Sequence, residues 1–263
     1  MEKEISWWGG SLHYTLLGQG TPVMLVHGFG ETREVWNEQI DTLKERHQLL
    51  VPDLPGSGKS SLKNQGEISM EFLAEALRQI IDEEGIKKLV LIGHSMGGYA
   101  SLAFAEKYPE RLTALGLFHS SALADDEDKK AVRKKGIAFI RKNGARLFLE
   151  STIPNLFSNS ENPLTEKLKN LAANFRDNDL IGYYEGMIER PDRTSVISSL
   201  HIPFLLIMGK NDKAVPLELA LKQSHLAPLS VIHILRMSGH MGMWEEKEKS
   251  NEILAKFLDQ FCG

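Results

Sequence analysis

The segment Gly93-His94-Ser95-Met96-Gly97 limits this chain more than any other feature, because it sits between two elements of opposite character. Before it, Lys88-Leu89-Val90-Leu91-Ile92 reads as a buried strand, with branched residues and no turn-former. After it, Tyr99 to Lys107 reads as a helix that ends before Pro109. A serine with glycines two residues to either side, at a strand-to-helix turn, fits a sharp elbow that lifts the hydroxyl above a sheet. Side chains at positions 93 and 97 would collide with the neighbouring strand and helix, and Gly98 extends the close packing. A serine hydroxyl alone is a weak nucleophile near neutral pH. It needs a base within hydrogen-bond reach and a third group to orient that base. The remaining sequence is therefore read for a histidine and an acid on loops that follow strands.

Bulk properties narrow the field. With 263 residues and 42% hydrophobic composition, the chain can form one large α/β domain, or a core with an inserted subdomain, without staples. A net charge of −4 gives no reason to expect a nucleic-acid or anionic-membrane partner. The one cysteine, Cys262, excludes an internal disulfide framework and a cysteine metal site, and is read as a terminal thiol without a role. Met1-Glu2-Lys3-Glu4-Ile5 lacks the apolar stretch of a secretory signal, and no apolar run approaches a membrane span. A cytoplasmic, soluble protein is the expectation.

Along the chain, Ile5–Trp8 and Leu12–Leu17 predict an opening hairpin through Gly9-Gly10. Pro22–Val26 predicts a buried strand running into His27-Gly28-Phe29-Gly30, followed by a helix over about Glu34–Arg46 and a strand over Gln48–Asp53. Met70, Leu73, Leu77, Ile80 and Ile81 recur at helical spacing, and Leu112–Phe118 forms the strand after the elbow helix. This alternation predicts a mostly parallel central sheet of about eight strands with helices on both faces. From about Ala122 to Arg193 the strands stop; helical patterns broken at Pro154, Pro163 and Pro191 predict a helical lid. Alternation resumes with the strand Pro203–Met208, a helix from about Leu217, the strand Val231–Leu235 and a last helix through Phe261. The division is a core of 1–121 and 194–263 with the lid, 122–193, inserted.

Taken together, His27-Gly28-Phe29-Gly30, Asp53-Leu54-Pro55-Gly56-Ser57-Gly58-Lys59-Ser60, the elbow, Gly209-Lys210-Asn211-Asp212 and Gly239-His240 make the chain resemble the α/β-hydrolase fold superfamily, as a capped, serine esterase-like member. The resemblance covers nearly everything outside the lid. It implies Ser95 as nucleophile, His240 as base then acid, and Asp212 as the group orienting His240, in the chain order Ser, acid, His. Some relatives carry the acid one strand earlier. Here that strand ends in His119-Ser120-Ser121, which favours Asp212. The Phe29 and Met96 amides are the implied oxyanion donors. Around them Phe29, Trp36, His119 and Met241 are candidates to line the substrate pocket, with Trp36, like Trp244, equally open to a packing role and His119 equally suited to satisfying a backbone group. Met96, Met237 and Met243, with Met241, would add an adaptable apolar lining.

Two features invite other readings. Gly56-Ser57-Gly58-Lys59-Ser60 ends like a phosphate loop, but position 53 is Asp where that loop needs glycine, so nucleotide binding is not expected. Lys129, Lys130, Arg133, Lys134, Lys135, Arg141, Lys142 and Arg146 make the first part of the lid basic. A solvated face is the ordinary explanation and attraction of acidic substrates the minority one. The expectation is a serine hydrolase acting through an acyl-enzyme on a small, mainly apolar ester or related acyl compound, with no metal or organic cofactor. The same triad in relatives also serves carbon–carbon bond hydrolysis, lyase chemistry and cofactor-free perhydrolysis, and some relatives are non-catalytic ligand receptors.

Overall fold

The computed structural model describes residues 1–63 and 67–261; Cys262 and the reading attached to it lie outside them. Eight strands form one sheet: β1 (Glu2–Trp7), β2 (Gly10–Leu17), β3 (Thr21–Val26), β4 (His47–Pro52), β5 (Leu89–His94), β6 (Leu112–Phe118), β7 (Phe204–Gly209) and β8 (Ser230–Leu235). Their spatial order is β1-β2-β4-β3-β5-β6-β7-β8. The hairpin of β1 and β2 joins β4 antiparallel, and every later pairing is parallel.

Helices cover the sheet: α1 (Asn37–Leu43), α2 (Met70–Glu83), α3 (Met96–Lys107), then α4 (Glu127–Asn143), α5 (Ala145–Thr152), α6 (Leu164–Leu171), α7 (Asp177–Glu189) and α8 (Thr194–Ser198) between β6 and β7. Short α9 (Leu217–Leu221) and α10 (Gly242–Glu245) precede the last helix, α11 (Lys247–Phe261). No helix among the described residues is long and apolar enough to cross a membrane.

Burial explains which patterns were readable. Every residue of β5 is buried, as a central strand between two layers requires, so it appears in sequence as an unbroken apolar run. Helix α2 buries one face through Met70, Leu73, Leu77 and Ile80, and Ser69 caps its first turn by accepting from the Phe72 amide. Helix α3 is buried from Met96 through Ala105, which explains its small, apolar character on all sides. The helix expected over Glu34–Arg46 is shorter. Thr32 caps a 3₁₀ turn at Arg33–Trp36, and the α-helix proper is seven residues long. Trp36, at the end of that turn, is buried in the core, edge-on to Phe118 with ring centroids 5.6 Å apart.

Chain order places the site. From β3 the chain crosses to β4 on one side and then to β5 on the other, so the sheet reverses direction between β3 and β5. Crevices at the carboxyl ends of strands flanking such a reversal are where open α/β sheets bind ligands. Phe29 follows β3, Ser95 follows β5, His119 follows β6, Asp212 follows β7 and His240 follows β8, all at that end.

Candidate active site

Ser95 adopts φ 50° and ψ −117°, a positive-φ conformation that a non-glycine residue takes only when its surroundings impose it. The Ser95 amide donates to Phe118 O at 3.0 Å, and Ser120 Oγ donates to Ser95 O at 2.7 Å, so β6 and the residues after it clamp the turn. The glycines are required by space. A Cβ at Gly97 would lie 2.5 Å from His27 O, and one at Gly93 only 2.3 Å from Gly97 O. The turn thus needs glycine on both sides of the serine.

Behind the serine lies a buried carboxylate. Asp212 Oδ2 accepts from His240 Nδ1 at 2.8 Å and from His119 Nδ1 at 3.0 Å. Its Oδ1 accepts from the Ala214 and Val215 amides at 2.8 and 2.9 Å. Burial opposes ionisation of this group. The His240 and His119 imidazoles outweigh it and hold the Asp212 carboxyl well below the usual carboxylate range. An ionised carboxylate only accepts, so both histidines carry their proton on Nδ1. In the neutral ring this tautomer puts the lone pair on Nε2, the form a general base needs.

His240 and Ser95 line one cavity of about 240 Å³. Among the described residues Ser95 Oγ has no hydrogen-bond partner; contacts of this kind commonly tighten only when substrate is seated. The Met96 amide opens helix α3 and so lacks an acceptor four residues back. Neither it nor the Phe29 amide donates to another described residue; Phe29 lines the cavity and Met96 directly follows Ser95.

His119 belongs to this machinery in a different place from the one expected. Its side chain is wholly buried behind Asp212 and does not reach the cavity. Burial pushes its pKa down to about 4 despite the carboxylate beside it, so it is a neutral donor near pH 7. Its Nε2 is buried without a partner, which suits an unprotonated nitrogen. Gly242 and Gly209 make room: a Cβ at Gly242 would lie 2.4 Å from His119 Nε2.

Trp36 and Met241, also expected to wall the pocket, are completely buried away from it. Trp36 packs against Phe118 and His94, and Met241 leads into helix α10. The methionine lining is absent too: Met96 and Met243 are buried in the core and Met237 is 70% exposed. Of the expected pocket residues only Phe29 lines the cavity, stacked on Tyr184 of α7 at 4.3 Å between ring centroids. Tyr99, Leu149, Ile153, Tyr184 and Met187 supply much of the rest of the wall, with no local sequence signal marking them.

Sequence reasoning also missed Glu31. Its carboxylate is buried and accepts from the Gly28 amide at 2.7 Å and from His94 Nδ1 at 3.0 Å. His94 Nε2 faces His240 O at 3.0 Å. Both neighbours of the His94 ring are pure acceptors, so both its nitrogens carry protons. Burial works against that charge, but Glu31 outweighs it and raises the His94 pKa, while Glu31 is held below its usual range. The charged pair ties the Phe29 loop to the backbone of His240.

Replacing Glu31 with Gln strands a buried imidazolium, and a loss of about 3 kcal/mol in urea unfolding is expected at pH 6. The His94 pKa is raised on folding. Its contribution is therefore complete below the unfolded value near 6.5 and fades as pH rises through the folded value. The gap between wild type and variant should narrow at alkaline pH.

The phosphate-loop lookalike has a structural task. Asp53 accepts from the Arg33 and Lys59 amides, and Ser57 Oγ meets Tyr183 Oη at 2.7 Å, fastening helix α7 to this loop. The basic stretch of the lid divides. Lys130, Arg141 and Arg146 form surface pairs with Glu127, Glu185 and Glu150, whereas Lys129 and Arg133 line the cavity.

Known proteins resemble this architecture throughout. An esterase from Thermogutta terrifontis, a thermophilic enzyme whose structure was solved with malate bound, superposes with a TM-score of 0.93 at 30% identity, covering 100% of both chains. The 2-hydroxy-6-oxononadienedioate/2-hydroxy-6-oxononatrienedioate hydrolase of Escherichia coli (strain K12) is 30% identical over 266 residues, 94% of this chain and 90% of the relative. The enol-lactonase from Burkholderia xenovorans LB400 shares the fold at 18% identity, with a TM-score of 0.89 over 98% of this chain and 100% of the other. A family model for the alpha/beta hydrolase fold matches residues 21–247, and the chain belongs to that family of hydrolases.

Proposed function

We propose that the protein is a serine hydrolase of small acyl compounds, carboxylic esters first among them, working through an acyl-enzyme. The carrying observation is the buried Asp212–His240 pair, whose histidine lines one cavity with the strained Ser95 and with Phe29. Ser95 Oγ attacks the carbonyl carbon as His240 Nε2 takes its proton. The alkoxide formed is held by the Phe29 and Met96 amides, each such donor being worth about 3 kcal/mol in the transition state. His240 returns the proton to the leaving oxygen, and water, deprotonated by the same nitrogen, releases the acid. The helices of 122–193 act as the lid that selects substrate, since α4, α5 and α7 wall the cavity over Ser95.

Size supports a small substrate. A cavity of about 240 Å³ lies below the roughly 300–1,000 Å³ of drug-sized ligand pockets. In a series of p-nitrophenyl esters, kcat/KM is expected to peak at acetate to hexanoate and to fall about tenfold or more by decanoate. A peak at decanoate would contradict this reading. The kinship with the E. coli hydrolase supports a second one, cleavage of a carbon–carbon bond next to the ketone of an unsaturated oxo acid. It would be favoured by turnover of such a compound with no ester of the series cleaved.

A further inference from the structure

The cavity over Ser95 is not evenly apolar. Three of its lining side chains, Lys129, Arg133 and Lys213, are cations, in a protein whose net charge is −4. They come from two separate elements, two from helix α4 and one from the loop after β7. Lys129 Nζ donates to Ala214 O at 2.8 Å, which ties this lysine to that loop. Among the described residues neither Lys129 nor Lys213 has a carboxylate partner. The acids nearby are already engaged. Glu31 is held by His94 and the Gly28 amide, and Asp125 alone serves both Arg133 and Arg190.

Tyr99 completes the arrangement. It lies one helical turn beyond Ser95 on α3, is 3% exposed and lines the same cavity, yet its hydroxyl has no hydrogen-bond partner among the described residues. The Arg190 guanidinium sits 3.9 Å over its ring. Burial would raise the Tyr99 pKa, but Arg190, Lys129 and Arg133 lower it, a sign that this wall favours negative charge. A hydroxyl without a partner on the cavity wall, beside cations without carboxylates, is suited to donate to an anion seated there.

We infer that Tyr99, Lys129 and Lys213 form a carboxylate-binding subsite about one helical turn from Ser95, so that the preferred substrate is an acyl compound bearing a free carboxylate on its acyl side. This rests on the proposed hydrolase reading and narrows its substrate class.

The test compares mono-p-nitrophenyl glutarate with p-nitrophenyl valerate, which has the same number of carbons and no second carboxylate. At low salt the kcat/KM ratio of charged to neutral ester is expected to be about tenfold to hundredfold, the range set by charge-assisted hydrogen bonds. It should fall as ionic strength rises. It should collapse to about one or below in Lys129→Met/Lys213→Met and drop partway in Lys213→Met, whose exposed position leaves folding undisturbed. A wild-type ratio at or below one, or a ratio unchanged in the double variant, would overturn the subsite. If neither ester is cleaved the hydrolase reading fails on its own, and calorimetry on Ser95→Ala decides the subsite. Tighter binding of monomethyl glutarate than of methyl valerate, lost with the two lysines, sustains it. Equal or weaker binding overturns it.

Discussion

Ser95→Ala is expected to lower kcat for a p-nitrophenyl ester by about 10⁵- to 10⁶-fold while leaving the protein folded. The size follows from what the hydroxyl does. Without it there is no acyl-enzyme, and the reaction must rely on a water that no covalent bond or fixed turn positions beside His240. The residual rate would come from the free Phe29 and Met96 amides acting on direct attack by water. Folding should survive because the turn at 93–97 depends on glycine spacing and on main-chain bonds to Phe118 and Ser120, none of which uses the Ser95 hydroxyl. Steady-state kinetics together with thermal unfolding checks both halves. Turnover within tenfold of wild type would remove Ser95 from the mechanism.

The second large effect is Asp212→Asn, expected to cost about 10⁴-fold in kcat. The reason lies in the four bonds the carboxylate accepts. The new amide must keep its oxygen towards the Ala214 and Val215 amides, because a donor there would face two donors. Its NH₂ group then faces the Nδ1 atoms of His240 and His119, both of which donate to Asp212 in the wild type. His240 would move its proton to Nε2, the nitrogen that must accept from Ser95. The shape of the site persists and its proton sits on the wrong atom. Titration of the His240 ring by NMR, alongside kcat, separates this loss from general unfolding. A kcat within tenfold of wild type in Asp212→Asn would show that the carboxylate does not set the tautomer.

Both effects were legible in the sequence because the relevant constraints are local. Gly93 and Gly97 are dictated by contacts around one turn, and Asp212 and His240 each stand just past a strand whose apolar run is visible. The central sheet was readable for the same reason, since strands buried on both faces carry unbroken apolar runs.

What could not be read depends on how separate elements dock. His119 was expected either at the pocket or on a backbone group; it bonds Asp212 instead, a contact between two strand ends 93 residues apart. Trp36, near the oxyanion loop in sequence, is a candidate for either core packing or the pocket wall, and the structure buries it in the core against Phe118. The cavity walls are set by where α4, α5 and α7 rest, so Lys129 looked like any other lysine on a solvated face. The Glu31–His94 pair joins residues 63 apart, and nothing local announces it.

Whether Ser95 is a nucleophile served by His240 and by two backbone amides is tested most directly by a crystal structure of the protein treated with a fluorophosphonate. The expected result is phosphorus bonded to Ser95 Oγ, one phosphoryl oxygen about 2.7–3.1 Å from both the Phe29 and Met96 amides, and His240 Nε2 within hydrogen-bond reach of Oγ. An unmodified Ser95, or an adduct whose oxygen turns away from those amides, would contradict it.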